Sequence, residues 1–145
     1  MINKPMSKLT RVLECVIGLV LCFAGTMKLH NPAAFLDAVY GYELVGPRVG
    51  ILVATLIPTA EVVLGAALIV GASRRSASLF ALLLACTFVV AQALAIRAGV
   101  TAPCGCVSLG EPDPLGPTTI VRASIFAAIC LVVSILNFFQ KETYP

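Results

Sequence analysis

Four long apolar stretches dominate the pattern of hydrophobic and polar positions along this chain. They cover residues 11–28, 47–71, 76–96 and 123–140. Each is close to the roughly 20 apolar residues that an α-helix needs to cross a hydrocarbon core about 30 Å thick. The pattern predicts an all-α fold in which residues 1–145 form a single four-span transmembrane domain, an integral membrane four-helix bundle.

A shorter pattern between the first two spans predicts a helix of another kind. Asn31 can cap it, Pro32 can occupy its first position, and Gly41 lies near its end. Phe35 and Val39 recur at helical spacing, whereas Asp37 and Glu43 are polar. We expect a short interfacial helix after the first span, with its apolar side facing the membrane.

If the first span crosses the membrane as one helix, the charged residues at its two ends have to reach water. Its uncharged part, Cys15 to Met27, is short. We therefore expect Glu14 and Lys28 to lie at opposite interfaces or to reach toward them, with Lys28 and His30 as anchors.

Glu61 lies near the middle of the second span, where an ionised residue costs on the order of 2.5–3.5 kcal/mol on insertion scales. We expect it to face the bundle interior, in its neutral form unless a cation compensates. One interpretation is a proton relay or a ligand contact. The other is an interhelical hydrogen bond to Gln92 or to the Ala54 carbonyl, since Pro58 cannot donate to that carbonyl.

Composition agrees with the apolar pattern and limits the classes of partner. The chain of 145 residues is 59% apolar and only 12% charged, against about 25% charged residues in soluble domains. Its formal charge is +3, but the basic residues lie at span ends. They form no basic face, so we expect membrane lipid as a partner and no nucleic acid.

The distribution of basic residues predicts the orientation of the chain. One side of the membrane would carry Lys4, Lys8, Arg11, Arg74, Arg75 and Lys141, and the other side Lys28, Arg48, Arg97 and Arg122. The N-terminal cluster and the Arg74-Arg75 turn favour the cytoplasm under the positive-inside rule. Both termini would then be cytoplasmic.

The segment between the third and fourth spans is rich in proline and glycine and contains Cys104-Gly105-Cys106. Connections of this length are more often functional than incidental. Two cysteines separated by one residue can pair only through a very small ring, which glycine is best able to close. Strain raises the reduction potential of a disulfide, so such a bridge should be exchangeable.

Three roles for the pair stay open. Cys104 and Cys106 can act as a catalytic redox pair, with the attacking thiolate stabilised by Arg97 or Arg122. They can also be a passive staple of the loop. Metal binding is the third role, but His30 is the single histidine and tetrahedral zinc needs four ligands, so we expect no metal site unless a dimer supplies two pairs.

The other four cysteines fit the interpretation of small apolar residues within spans. They are Cys15, Cys22, Cys86 and Cys130. Cys22 lies nearer the predicted outer end of the first span. It is therefore the best of the four for relaying electrons to the loop pair.

Short motifs in a fixed order give the chain a resemblance to a known family. They are Lys28-Leu29, Pro32, Phe35, Ala38-Val39, Tyr42 and Leu44; then Pro58, Glu61 and Gly65; then Cys104-Gly105-Cys106 and Arg122. Together they resemble the MauE/DoxX-like family of four-helix bacterial membrane proteins. The chain departs from the family at two positions. Phe-Gly often follows the second cysteine in the family, whereas Val107 follows Cys106 here. Asn commonly follows the final arginine in the family, whereas Ala123 follows Arg122 here.

The resemblance implies a location in the bacterial inner membrane and a redox-associated role. MauE-type proteins are linked to maturation of a disulfide-rich periplasmic subunit of methylamine dehydrogenase, and DoxX-like relatives to other membrane oxidoreductase systems. We therefore expect a membrane protein that supports extracytoplasmic thiol–disulfide chemistry, with a periplasmic or membrane redox protein as partner. It would be an enzyme only if electrons have an exit from the pair.

A membrane quinone near Glu61, Gln92, Arg97 or Arg122 would provide that exit and is the cofactor that we expect. The main alternative is a non-catalytic accessory subunit of a larger membrane-bound complex, packed against its partners through small residues such as Gly65, Ala66 and Ala67. A lipid- or ion-transporting role is the third hypothesis and rests on Glu61 and Pro58.

Overall fold

The computed structural model describes residues 4–100 and 115–139, so Cys104 and Cys106 lie outside the described residues. The described parts are helical, without a strand. The helices are α1 (Lys4–His30), α2 (Pro32–Gly41), α3 (Pro47–Val70), α4 (Arg74–Arg97) and α5 (Pro117–Phe139).

The four long helices confirm the prediction of four spans. Lengths and compositions that allow membrane crossing are found for Lys8–His30, Pro47–Val70, Arg74–Arg97 and Pro117–Phe139. Large apolar side chains are exposed on the outside of the bundle, for example Leu56, Phe80 and Ile125. Such a surface is suited to lipid and not to water, so this is a multi-pass membrane protein in contact with lipid.

The helix ends follow local chemistry. Pro47 and Pro117 occupy first turns, where the missing N–H of proline costs no helical hydrogen bond. α3 ends at Val70 and is capped by Gly71, which has a φ of 84° and donates its N–H to the Ala67 carbonyl at 2.9 Å. α5 begins at Pro117 and not near Ala123. Its first turn is polar, so the apolar pattern placed the start too late.

α2 is capped as predicted. The Asn31 side chain accepts a hydrogen bond from the Ala34 N–H at 3.3 Å. Phe35 and Ala38 are buried, and the Tyr40 hydroxyl donates to the Pro47 carbonyl at 3.0 Å. The helix therefore packs on the beginning of α3; its place in the membrane interface stays a prediction.

The bundle is built from two close helix pairs, α1 with α3 and α4 with α5. Glycines let α1 and α3 approach: a Cβ at Gly18 would lie 2.7 Å from the Gly65 carbonyl oxygen, and one at Gly65 would lie 2.6 Å from the Cys22 sulfur. A buried apolar cluster joins the two pairs. Its members are Ile17, Leu21, Leu68, Ala77, Ala81, Ala85, Cys130 and Val133.

This packing corrects one expectation about partner contacts. Gly65 is buried in the contact between α1 and α3, so it is not available to a partner subunit. Ala66, the next residue, is exposed. Among the small residues of α3, Gly65 therefore serves the packing of helices within this chain.

Candidate functional site

A buried ion pair links α1 to the middle of α3. The Lys28 ammonium donates to Glu61 Oε1 at 2.5 Å, and the two side chains are 5% and 3% exposed. Helical side chains lean toward the N-terminus of their helix, so Lys28, near the end of α1, reaches back along the bundle to Glu61. The two charges are in contact away from solvent, where a charge without an opposite partner would be strongly destabilising.

The structure therefore changes two expectations about these residues. Glu61 faces the interior, as predicted, but its partner is Lys28 and not Gln92 or the Ala54 carbonyl. The prediction that Lys28 is an interfacial anchor is wrong, because the residue is buried. His30, two residues further on, is exposed.

Aromatic rings surround the ammonium group. Lys28 Nζ lies 5.2 Å from the centroid of the Phe35 ring and 4.6 Å from that of Phe88, within the range of cation–π attraction. The second carboxylate oxygen, Glu61 Oε2, is buried and has no hydrogen-bond partner among the described residues. Buried polar atoms normally have a partner, so this oxygen marks the pair as a candidate binding position.

A cavity of about 320 Å³ lies beside the ion pair, between the two helix pairs. Its walls are mainly apolar. Four helices line it: α1 with Val20, Leu21, Ala24 and Lys28; α3 with Glu61; α4 with Leu84, Ala85, Phe88 and Gln92; α5 with Thr119, Arg122, Ala123 and Phe126.

The cavity brings together three of the four residues expected to hold a cofactor. Glu61, Gln92 and Arg122 line it, whereas Arg97 is exposed at the end of α4 and does not. Sequence reasoning missed Lys28 as a member of this site. The available signal was Glu61 itself, since a carboxylate in the middle of a span needs a cation, and Lys28 is a basic residue within the neighbouring span Lys8–His30.

A second polar cluster lies at the opposite end of the bundle, around Glu14. This carboxylate is fully buried. Arg74 Nε donates to its two oxygens at 3.0 and 2.8 Å, and Asn137 Nδ2 donates at 2.7 Å. Arg11 Nη1 lies 3.2 Å from Glu14 Oε2. The sequence predicts Glu14 at an interface or reaching toward one, and it did not indicate these buried partners.

The arginines of this cluster also bind helix ends. Arg11 donates to the carbonyls of Leu68 and Ile69 at the end of α3. Arg75 donates to the Asn137 carbonyl at the end of α5. The last carbonyls of a helix have no partner within it, so these contacts satisfy acceptors that the helices leave unpaired, and they tie α1, α3, α4 and α5 together. We assign this cluster a structural role.

We expect Glu14→Gln to destabilise the protein by about 1.5–3 kcal/mol, the range for hydrogen bonds to charged groups. The variant keeps the shape of the side chain but removes the charge that pairs with two arginines. Unfolding in mixed detergent micelles measures the loss. Glu43→Gln, at an exposed acid, is the matched control, and equal stability of the two variants would contradict the structural role.

The cysteines within the described residues are unpaired and differ in burial. Cys22 Sγ donates to the Val62 carbonyl at 3.6 Å, Cys130 is buried and Cys86 is exposed. No group of three His, Cys, Asp or Glu residues that could hold a metal occurs within residues 4–100 and 115–139. The roles of Cys104 and Cys106 stay predictions, because both lie outside these ranges.

The fold and the site together define a four-span membrane protein with a buried ion pair beside an apolar cavity. The family model described as methylamine utilisation protein MauE matches residues 6–136. The chain therefore belongs to the MauE family of membrane proteins. Comparisons with curated proteins and with solved structures gave no significant match.

Proposed function

We propose that this protein performs thiol–disulfide exchange on the outer side of the bacterial inner membrane, through Cys104 and Cys106, and thereby matures an extracytoplasmic redox protein. One observation carries the proposal: the segment with both cysteines joins the ends of α4 and α5 that line the cavity. Gln92 lies near the end of α4, and Thr119 and Arg122 lie near the start of α5.

Orientation supports the outer location of that segment. The basic residues around Glu14 lie at one end of the bundle, and the segment between Arg97 and Pro117 leaves from the other end. Under the positive-inside rule the Arg74-Arg75 end favours the cytoplasm. The cysteines would then face an oxidising compartment, in which disulfides persist.

The proposed exchange proceeds through a mixed disulfide. A thiolate of the partner attacks one sulfur of the Cys104–Cys106 disulfide, and the other sulfur leaves as a thiolate. The second partner thiol then attacks the mixed disulfide, so the partner gains a disulfide and the pair becomes a dithiol with two more electrons and two more protons. Positive charge at Arg97 or Arg122 would stabilise the leaving thiolate.

A redox titration tests the proposal. The purified protein is equilibrated with glutathione buffers of different potential, and the fraction of disulfide between Cys104 and Cys106 is read by alkylation and mass spectrometry. We expect a potential clearly above about −300 mV, the upper limit for inert structural disulfides, and transfer of the disulfide to a reduced dithiol peptide.

The control is the double variant Cys104→Ser/Cys106→Ser, which should transfer nothing. A potential below about −300 mV, together with no transfer by the wild-type protein, would refute the exchange. The cysteines would then be a loop staple. That outcome favours the accessory-subunit role, which co-purification of other subunits at a fixed ratio would establish.

A further inference from the structure

We propose that the cavity beside Lys28 and Glu61 binds the head group of a lipid-soluble quinone, which reoxidises the cysteine pair. This inference rests on the proposed function, because the pair supplies the electrons. The binding site itself is built from described residues alone. Four observations carry it: the size of the cavity, its access from lipid, its polar groups and its aromatic rings.

The size and walls of the cavity fit a small amphiphilic head group. Its volume of about 320 Å³ falls within the roughly 300–1,000 Å³ of ligand pockets, which are mostly apolar with a few polar groups that fix orientation. Here the polar groups include Lys28, Glu61 and Arg122, and the remaining walls are largely aliphatic and aromatic. A hydrophilic metabolite would find too few partners on such walls.

Two exposed residues that line the cavity, one on α1 and one on α5, indicate access from the lipid. Val20 lines the cavity and is 42% exposed, and Arg122, which also lines it, is exposed. The cavity therefore reaches the outer surface of the bundle between these helices. A ligand dissolved in the membrane can enter there, with its tail left among the lipid chains.

The ion pair offers a hydrogen-bond donor for the carbonyl of a quinone and a hydrogen-bond acceptor for the hydroxyl of the reduced quinol. Lys28 Nζ has three N–H donors, of which one binds Glu61 Oε1, so it can also donate to a quinone carbonyl. Glu61 Oε2 is buried and has no partner within residues 4–100 and 115–139, so it can accept from the hydroxyl of the reduced quinol. A purely apolar ligand would leave this oxygen unsatisfied, which is unfavourable.

Aromatic rings complete the fit. Phe88 and Phe126 line the cavity on α4 and α5, and flat rings favour offset or edge contacts with one another. The Phe88 ring also lies 4.6 Å from Lys28 Nζ. A planar head group placed against Phe88 would therefore be within reach of the ammonium group.

The electrons and protons of the proposed step balance. The reduced Cys104 and Cys106 thiols lose two electrons and two protons, and an S–S bond forms between them. The quinone gains both electrons and both protons, and its two carbonyl groups become hydroxyls. The pair is then ready for another partner dithiol, so the cycle needs no oxidant other than the quinone.

Binding of decylubiquinone to the purified protein, measured by equilibrium dialysis in detergent, tests the site. We expect saturable binding of one molecule per chain, and at least tenfold weaker binding of decylbenzene, which has the same tail and a ring without carbonyls. Ala123→Leu fills the cavity and should weaken decylubiquinone binding at least tenfold. Ala128→Leu, the same change at an exposed position of α5, should leave it unchanged.

Equal binding of decylbenzene would overturn the inference and identify an acyl-chain pocket. Unchanged binding in Ala123→Leu would overturn it as well. Disulfide transfer to a dithiol peptide, measured in a single turnover without quinone, reports on the proposed function separately. Transfer without quinone binding would end the inference and leave the proposed function standing. Quinone binding without transfer would refute the proposed function and with it the reoxidation of the pair, and would leave only a quinone-binding cavity.

Discussion

Replacing either Cys104 or Cys106 with serine should abolish disulfide transfer as completely as replacing both. A two-electron exchange needs two sulfurs, one that is attacked and one that leaves or resolves the mixed disulfide. We therefore expect at least a hundredfold loss of transfer to the extracytoplasmic partner in each single variant. The measurement is the rate at which the partner gains its disulfide, followed by alkylation of remaining thiols.

The single variants should also identify the partner. The cysteine that reacts first, left without its neighbour, accumulates a mixed disulfide that migrates as a larger species on non-reducing gels. Cys86→Ser is the matched control, because Cys86 is exposed on α4 within a span and should have no part in transfer. Wild-type transfer in both single loop variants would refute a shared redox unit.

Loss of one partner of the buried ion pair should have the largest effect on stability. We expect Lys28→Met and Glu61→Leu each to cost about 3–5 kcal/mol, since each leaves one buried charge without its counter-charge. Glu61→Gln should cost less than Glu61→Leu, because its amide oxygen can still accept from Lys28. Unfolding in mixed detergent micelles gives the three values.

The double variant Lys28→Met/Glu61→Leu separates folding from function. Replacing a buried ion pair by apolar residues of similar size is often neutral or stabilising, so we expect near wild-type stability. Arg97→Met removes an exposed charge outside the cavity and is the control, with a stability change within about 0.5 kcal/mol. Additive losses in the double variant would show that the two side chains are not coupled in this way.

The same double variant tests what the pair does. Its cavity keeps apolar walls but lacks the ammonium donor and the carboxylate acceptor. If the pair orients a quinone, decylubiquinone affinity should fall at least tenfold in a protein that remains folded. Unchanged affinity would make Lys28 and Glu61 purely structural.

The number, order and approximate limits of the membrane helices could be predicted from the sequence, because a helix that crosses lipid must be mainly apolar along its length. Asn31 and Pro32 also predicted the start of α2, since capping depends on neighbouring residues. The inward direction of Glu61 followed from the cost of a charge in lipid. All three properties depend on local composition or on the membrane as a solvent.

Only the tertiary structure decided which polar residues meet. Lys28 and Glu61 are 33 residues apart, and Glu14 meets Asn137 across 123 residues. Contacts at such separations depend on how the helices rotate and pack, which no local pattern records. The cavity is also a product of packing, because four helices each contribute part of its wall. The sequence by itself therefore determined the class of protein and its spans, whereas helix packing determined the ion pair and the site beside it.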